Sequence, residues 1–374
     1  MPLKNRIASF DGLRAIAIFS VILFHYFTRG PEKYNANFPY GGFFEHFILF
    51  NYGYLGVLLF FSISGFVITH SLQRSPSLKN FGIKRIARLW PSMLLCCAIT
   101  YAFSSVAPLS HQSHINNFLP SLTFLDPRIF NFIFKTNSFD WMDGAYWSIF
   151  VDIRFYAILA LIYFINKKKF FKSILILSTS VGIIFPLAIY FDLENLRSKL
   201  DVLLIAEYLP WFIFGIGCFY LYYRETKRAI ALIAASSFSV VLYVLAATTK
   251  PYLQIDWSAQ IIGSLIIFTL MIGSFKNKSL NKILSTRFLS SIGLASYSLY
   301  LLHQELGYKI IVQIGNPFRL NQMFSGLYAL IPLSLLTVLS HIIYQYWENP
   351  SNRIINDLFN QHSRDLHPSP LSSL

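Results

Sequence analysis

"RAIAIFSVILFH", residues 14 to 25, sets an arginine and a histidine eleven positions apart in a stretch otherwise suited to hydrocarbon. Eleven steps of 100° return to within about 20° of the start, so a helix puts both groups on one face, roughly 16 Å apart along its axis. A bilayer core about 30 Å thick takes roughly 20 apolar residues as helix. The stretch therefore reads as part of a membrane helix that carries two ionisable groups. Such groups are costly in a bilayer and are usually functional.

The rest of the chain has the same character. Of its 374 residues 55% are hydrophobic and 13% charged, against roughly 25% charged in a soluble chain. Apolar runs centre on residues 10–28, 52–71, 89–107, 145–165, 171–191, 202–222, 228–248, 257–275, 288–304 and 324–347. Lipid leaves the backbone only helices or closed barrels, and barrel strands would alternate polar with apolar residues. The expected fold is an all-α integral membrane protein of about ten transmembrane helices. Residues 1–350 would form the membrane domain and 351–374 a short, disordered cytoplasmic tail.

A net charge of +14 would suggest nucleic acid in a soluble protein. Its placement says otherwise. With the N-terminus in the cytoplasm, 20 of the 31 lysines and arginines fall in inner segments and 9 in outer ones, while Arg14 and Arg154 lie within spans. This follows the positive-inside rule, so both termini are expected in the cytoplasm and no nucleic-acid partner is implied. The first apolar run carries Asp11 and Arg14 and lacks a small-residue cleavage site, so it is expected to remain as the first helix. Cys96, Cys97 and Cys218 sit in apolar runs as small core residues, without metal-ligand spacing. Phosphate-binding loops, dinucleotide fingerprints, zinc-protease motifs and nucleophile elbows are absent from the sequence.

The long connections face outward, at residues 28–51 and 108–143, the latter with His111, His114, Asp140, Trp141 and Asp143. Long outer segments between tightly connected helices are where an extracytoplasmic ligand could be held. Tyr34, Tyr40 and Trp141 are candidates to stack on a sugar, although interfacial aromatics also serve as ordinary membrane anchors.

With Arg14 near the inner interface, His25 reaches about mid-bilayer or slightly beyond. That suits a ligand with a phosphate at the cytoplasmic surface and a reactive end inside. The plainer alternatives are a topology anchor for Arg14 and, for His25, a histidine satisfied by a neighbouring helix. In "WSIFVDIRFY", residues 147–156, Asp152 lies roughly 10 Å below the outer surface. This is about the depth of His25, so the two could pair and fix the imidazole tautomer. Tyr156 shares the face of Asp152 and Arg154 points away; in the plainer reading Asp152 neutralises Arg154 or another buried cation.

"KRIARLWP", residues 84–91, places Arg85 and Arg88 three apart beside Pro91, a residue suited to a first helical turn. Two guanidiniums at a helix N-terminus make a phosphate site. The positive-inside rule explains their charge equally well, but not why they flank that proline. In "GYLGVLLFFSISGFVIT", residues 53–69, the small residues Gly53, Gly56, Ser62, Ser64 and Gly65 point to close helix packing.

At these residues the chain strongly resembles the acyltransferase-3 family of membrane O-acyltransferases, which modify bacterial surface polysaccharides and other acceptors. The resemblance is carried by "FDGLRAIAIFSVILFH" with its arginine, ten residues, histidine pattern, by "GYLGVLLFFSISGFVIT", "RIARLWP" and "WSIFVDIRFY", by "SYSLYLLH" at 296–303, and by "YWENP" at 346–350. The six occur in family order from residue 10 to 350. The resemblance implies His25 as the catalytic residue, Arg14 as its essential partner, and Arg85 and Arg88 with Arg14 as the donor site. Asp152 stands where the family usually has glutamate, and Arg154 is atypical there. Asp11, Trp147, Ser148, Tyr156, Tyr297, His303 and Glu348 are further candidates within the same motifs.

The function expected is that of a multi-pass O-acyltransferase of the bacterial inner membrane, most simply an O-acetyltransferase. It would move an acyl group from cytoplasmic acetyl-CoA, a donor substrate rather than a resident cofactor, to a hydroxyl of an envelope polysaccharide or glycolipid. His25 would act as general base or as transient acyl carrier. Some relatives carry an extra soluble domain; since this chain ends just after its tenth helix, its membrane part would finish the transfer itself or use a separate extracytoplasmic protein. The alternative is a glycolipid transporter or flippase. It lacks the paired, broken helices of repeat-built transporters, for Pro186 has no counterpart in a second half.

Overall fold

A computed structural model describes residues 7–34, 38–106, 113–253, 256–315, 317 and 320–365. Regular structure among the described residues is entirely helical. Ten helices carry the apolar runs: α1 (Ala8–Phe24), α2 (Leu55–Gln73), α3 (Leu78–Val106), α4 (Trp147–Ile165), α5 (Phe170–Tyr190), α6 (Leu209–Tyr222), α7 (Thr226–Thr248), α8 (Trp257–Lys276), α9 (Arg287–Gly315) and α10 (Leu330–Ile343). Nine stretches among the described residues are long and apolar enough to cross a membrane. The expected span at 288–304 is not one of them, its apolar residues being interspersed with serines, tyrosines, His303 and Gln304. It is nonetheless a helix of 29 residues, packed along α1, α3 and α10.

Small residues set the closest approaches. A Cβ on Gly65 of α2 would come 2.0 Å from the carbonyl oxygen of Phe212 on α6, and one on Gly215 of α6 would come 2.0 Å from that of Ser62 on α2. Gly53 and Gly56 lie against Ser20 and Ala17 of α1 in the same way, and Gly293 of α9 against Asp11. Backbones that touch through glycine gain dispersion contacts that lipid cannot replace. The consequence is that α1 runs through the middle of the bundle, with Leu13, Ala15, Ala17, Ile18, Val21 and Ile22 wholly buried. Cys96, Cys97 and Cys218 are likewise buried core residues. The large exposed side chains of α7 and α8, such as Val241, Leu245, Ile262 and Ile266, form the surface that lipid covers.

Three local expectations are corrected. Helix α3 begins at Leu78, so Arg85, Arg88 and Pro91 lie inside it rather than in a first turn. The Pro91 carbonyl instead accepts a hydrogen bond from Trp347 Nε1 at 2.8 Å. Residues 351–365 are not a disordered tail: α11 (Asn349–Asp365) continues the chain as helix and packs along α3, while 366–374 lie outside the described residues. Tyr40 is not a platform for sugar, because it is wholly buried and donates to the Tyr26 carbonyl at 2.6 Å. The side chain of Tyr34, and His111, lie outside the described residues.

Two helices widen into π turns, at His25–Arg29 and Tyr344–Glu348, where Gly30 and Asn349 donate five residues back to His25 and Tyr344. Such turns shift the register of the side chains beyond them and are frequent at functional sites. Here they fall on two residues of the sequence motifs, His25 and Glu348.

Candidate active site

The inner half of the bundle encloses a cavity lined by Arg14 of α1, Ser64 of α2, Arg85 and Arg88 of α3, Ser148, Asp152 and Tyr156 of α4, and Tyr297 and Tyr300 of α9. Five helices thus deliver polar groups to one place. The helix period accounts for the pairs that come from one helix. Arg85 and Arg88 are three apart, and Asp152 and Tyr156 four apart, so each pair shares a face.

The two α3 arginines are incompletely used by the protein. Arg85 donates from Nη2 to Ser71 Oγ at 3.1 Å, while its Nε is buried with no hydrogen-bond partner among the described residues. No hydrogen bond or ion pair engages Arg88 among the described residues. A buried donor left open, as Arg85 Nε is, calls for an acceptor, and guanidiniums match phosphate best. Arg14 is held differently, by an ion pair of 3.0 Å with Asp11 one turn away.

Asp152 accepts from Ser64 Oγ at 2.5 Å and from the Tyr156 hydroxyl. Arg154 turns away from it, toward the Phe150 carbonyl at 3.4 Å and the Val202 carbonyl at 3.0 Å. The expected pairing of Asp152 with His25 does not form. The depth estimate puts Trp147 at the outer surface, whereas the start of α4 packs level with the middle of α9. Tyr146 donates to the Leu301 carbonyl at 3.1 Å, and Ser148 lies 2.7 Å from the Tyr300 hydroxyl, both opposite the middle of α9. Asp152 is one turn further in, beside the arginines.

His25 meets α9 instead. Its Nδ1 lies 3.0 Å from the Tyr308 hydroxyl and its ring centre 4.9 Å from that of His303. His303 in turn stands 5.2 Å from the ring of Tyr300, which belongs to the inner cavity. The order from the inner side outward is therefore arginines and Asp152, then Ser148 with Tyr300, then His303, then His25.

The remaining candidates divide. Tyr297 both lines the cavity and donates to the Leu89 carbonyl at 3.1 Å, tying α9 to α3. Glu348 is a structural clasp, accepting from Ser92 at 3.0 Å and Ser298 at 2.8 Å. Trp147 faces a different cavity, with Tyr54, Glu207, Trp211 and Tyr243. Sequence reasoning assigns Ser64 to packing alone and overlooks Tyr300 and Tyr308. Tyr300 stands three residues before His303 inside "SYSLYLLH", a signal that helical spacing makes readable. Tyr308 has no comparable signal.

The acyltransferase domain family matches this chain over residues 7–346. Among curated proteins, an O-acetyltransferase of Staphylococcus aureus is 24% identical over 91% of this chain and 56% of its own length. A peptidoglycan O-acetyltransferase of Listeria monocytogenes is 22% identical over 81% of the chain and 50% of its own. An O-acetyl transferase of Shigella phage Sf6 is 33% identical, but over only 25% of each chain. The chain thus spans about half the length of the longer curated relatives it matches. No solved structure matches it.

Proposed function

The chain belongs to the acyltransferase-3 family, and from that premise we propose that it transfers an acetyl group from cytoplasmic acetyl-CoA to a hydroxyl of an extracytoplasmic glycan, as a multi-pass enzyme of the bacterial inner membrane. The observation that carries this reading is the inner cavity. It offers the unused donors of Arg85 and Arg88 at one end and approaches the His303 and His25 rings at the other.

In this reading the donor's phosphates take the open hydrogens of Arg85 and Arg88, forming charge-assisted bonds of the strong kind. Asp152, held by Ser64 and Tyr156, lines the same cavity and offsets part of the positive charge there. The pantetheine arm passes Arg14 toward Ser148 and Tyr300, which brings the thioester to the level of the histidines. The glycan hydroxyl arrives from the outer side, and His25 takes its proton as the oxygen attacks the acetyl carbonyl.

Envelope glycans from cells with and without this chain, compared by mass spectrometry, test the reading. An acetyl mass shift on a sugar that disappears with the protein supports it. Unchanged glycan masses, with a glycolipid moved across the membrane instead, would mark a flippase and overturn it.

A further inference from the structure

Resting on that acetyltransferase reading, we propose that His303 carries the reaction's proton from His25 to the departing thiolate of CoA. His303 is wholly buried on α9, and its Nδ1 lies 2.7 Å from the Tyr300 carbonyl. A carbonyl can only accept, so Nδ1 bears the hydrogen and Nε2 presents a lone pair. That Nε2 is buried and has no hydrogen-bond partner among the described residues. A histidine kept merely to fill space would be expected to satisfy both nitrogens, since an orphaned buried acceptor costs roughly 1–3 kcal/mol.

Its position gives the lone pair a use. The ring stands between His25 at 4.9 Å and Tyr300 at 5.2 Å, and the Tyr300 hydroxyl, 2.7 Å from Ser148, borders the donor cavity. Tyr26, the residue after His25, donates to the His303 carbonyl at 3.0 Å and fixes the two helices in this register. The chemistry gives a carrier at such a place a task. Transfer breaks the acceptor's O–H bond, ends with an S–H bond on CoA, and so needs a proton moved from one oxygen to one sulfur.

In the step proposed, the hydroxyl proton goes to His25 as the oxygen forms its bond to the acetyl carbon. The C–S bond breaks with its electron pair on sulfur. The proton passes from His25 to Nε2 of His303, directly or through one water, and from there to the thiolate. The products are an acetyl ester and CoA thiol. Both imidazoles return to their starting state.

The test uses the full chain in membranes, with acetyl-CoA as donor. In His303→Asn the amide nitrogen still donates to the Tyr300 carbonyl, but the basic lone pair is gone. Its kcat should fall by about 10²–10⁴, with the KM for acetyl-CoA and the amount of protein unchanged. His303→Ala should lose activity and regain it on addition of imidazole; His303→Gln serves for the kcat measurement should His303→Asn not accumulate. A wild-type kcat in His303→Asn, or a His303→Ala variant that imidazole does not restore, overturns the relay while leaving the acetyltransferase reading intact. A wild-type chain that transfers no acetyl group overturns both.

Discussion

Arg85 keeps a buried guanidinium N–H without a partner among the described residues, and Arg88 beside it lines the same cavity. A hydrogen bond to a charged group is worth about 1.5–3 kcal/mol, so Arg85→Ala or Arg88→Ala should raise the KM for acetyl-CoA by roughly 10- to 100-fold. Equilibrium binding of acetyl-CoA to each purified variant checks this; unchanged affinity would remove the phosphate site. His25→Asn should leave that affinity alone and lower kcat by about 10²–10⁴, measured as acetylated glycan formed at equal amounts of protein. Part of the arrangement is legible in the sequence, because the helix period alone puts Arg14 on the face of His25, Arg85 on that of Arg88, and Asp152 on that of Tyr156. What is not legible is the partner of His25. Tyr308 lies 283 positions away along the chain, and no spacing rule reaches that far.

At the scale of helices, glycine contacts decide whether the cavity forms. Gly65→Leu drives a side chain against the Phe212 carbonyl of α6, a rigid neighbour that cannot yield as a side-chain tip could. Overpacking of this kind costs about 1–3 kcal/mol or more, so the variant should melt earlier in detergent. An unchanged melting curve would show that α2 and α6 separate without cost. Glu348→Ala leaves Ser92 and Ser298 without their acceptor. It should destabilise the fold by roughly 1–3 kcal/mol without changing the KM for acetyl-CoA, which separates a clasp from a donor contact. The positions of the helices are readable from hydropathy, since lipid demands long apolar runs. Their ends are less so. Helix α3 starts at Leu78 among charged residues that hydropathy discounts, and the level of α4 against α9 is set by contacts between distant segments, such as Tyr146 with the Leu301 carbonyl at 3.1 Å.

Over the whole molecule, the charge asymmetry assigns the arginine end of the cavity to the cytoplasm, and the order of side chains then sets a direction for the chemistry. In the proposed reading the donor meets Arg85 and Arg88 inside and His25 serves the acceptor toward the outside, with Tyr300 and His303 between them. The orientation is legible in the sequence because it depends on counts of lysine and arginine rather than on contacts. The path through the bundle is not, since it is assembled from α1, α2, α3, α4 and α9 only after folding. The most direct test of this account uses the full chain in sealed vesicles of known orientation, with labelled acetyl-CoA confined to the cytoplasmic face and glycan acceptor confined to the opposite face. The account predicts labelled acetyl on the glycan, abolished in His25→Asn. Label that reaches glycan only when donor and acceptor share one face would contradict it.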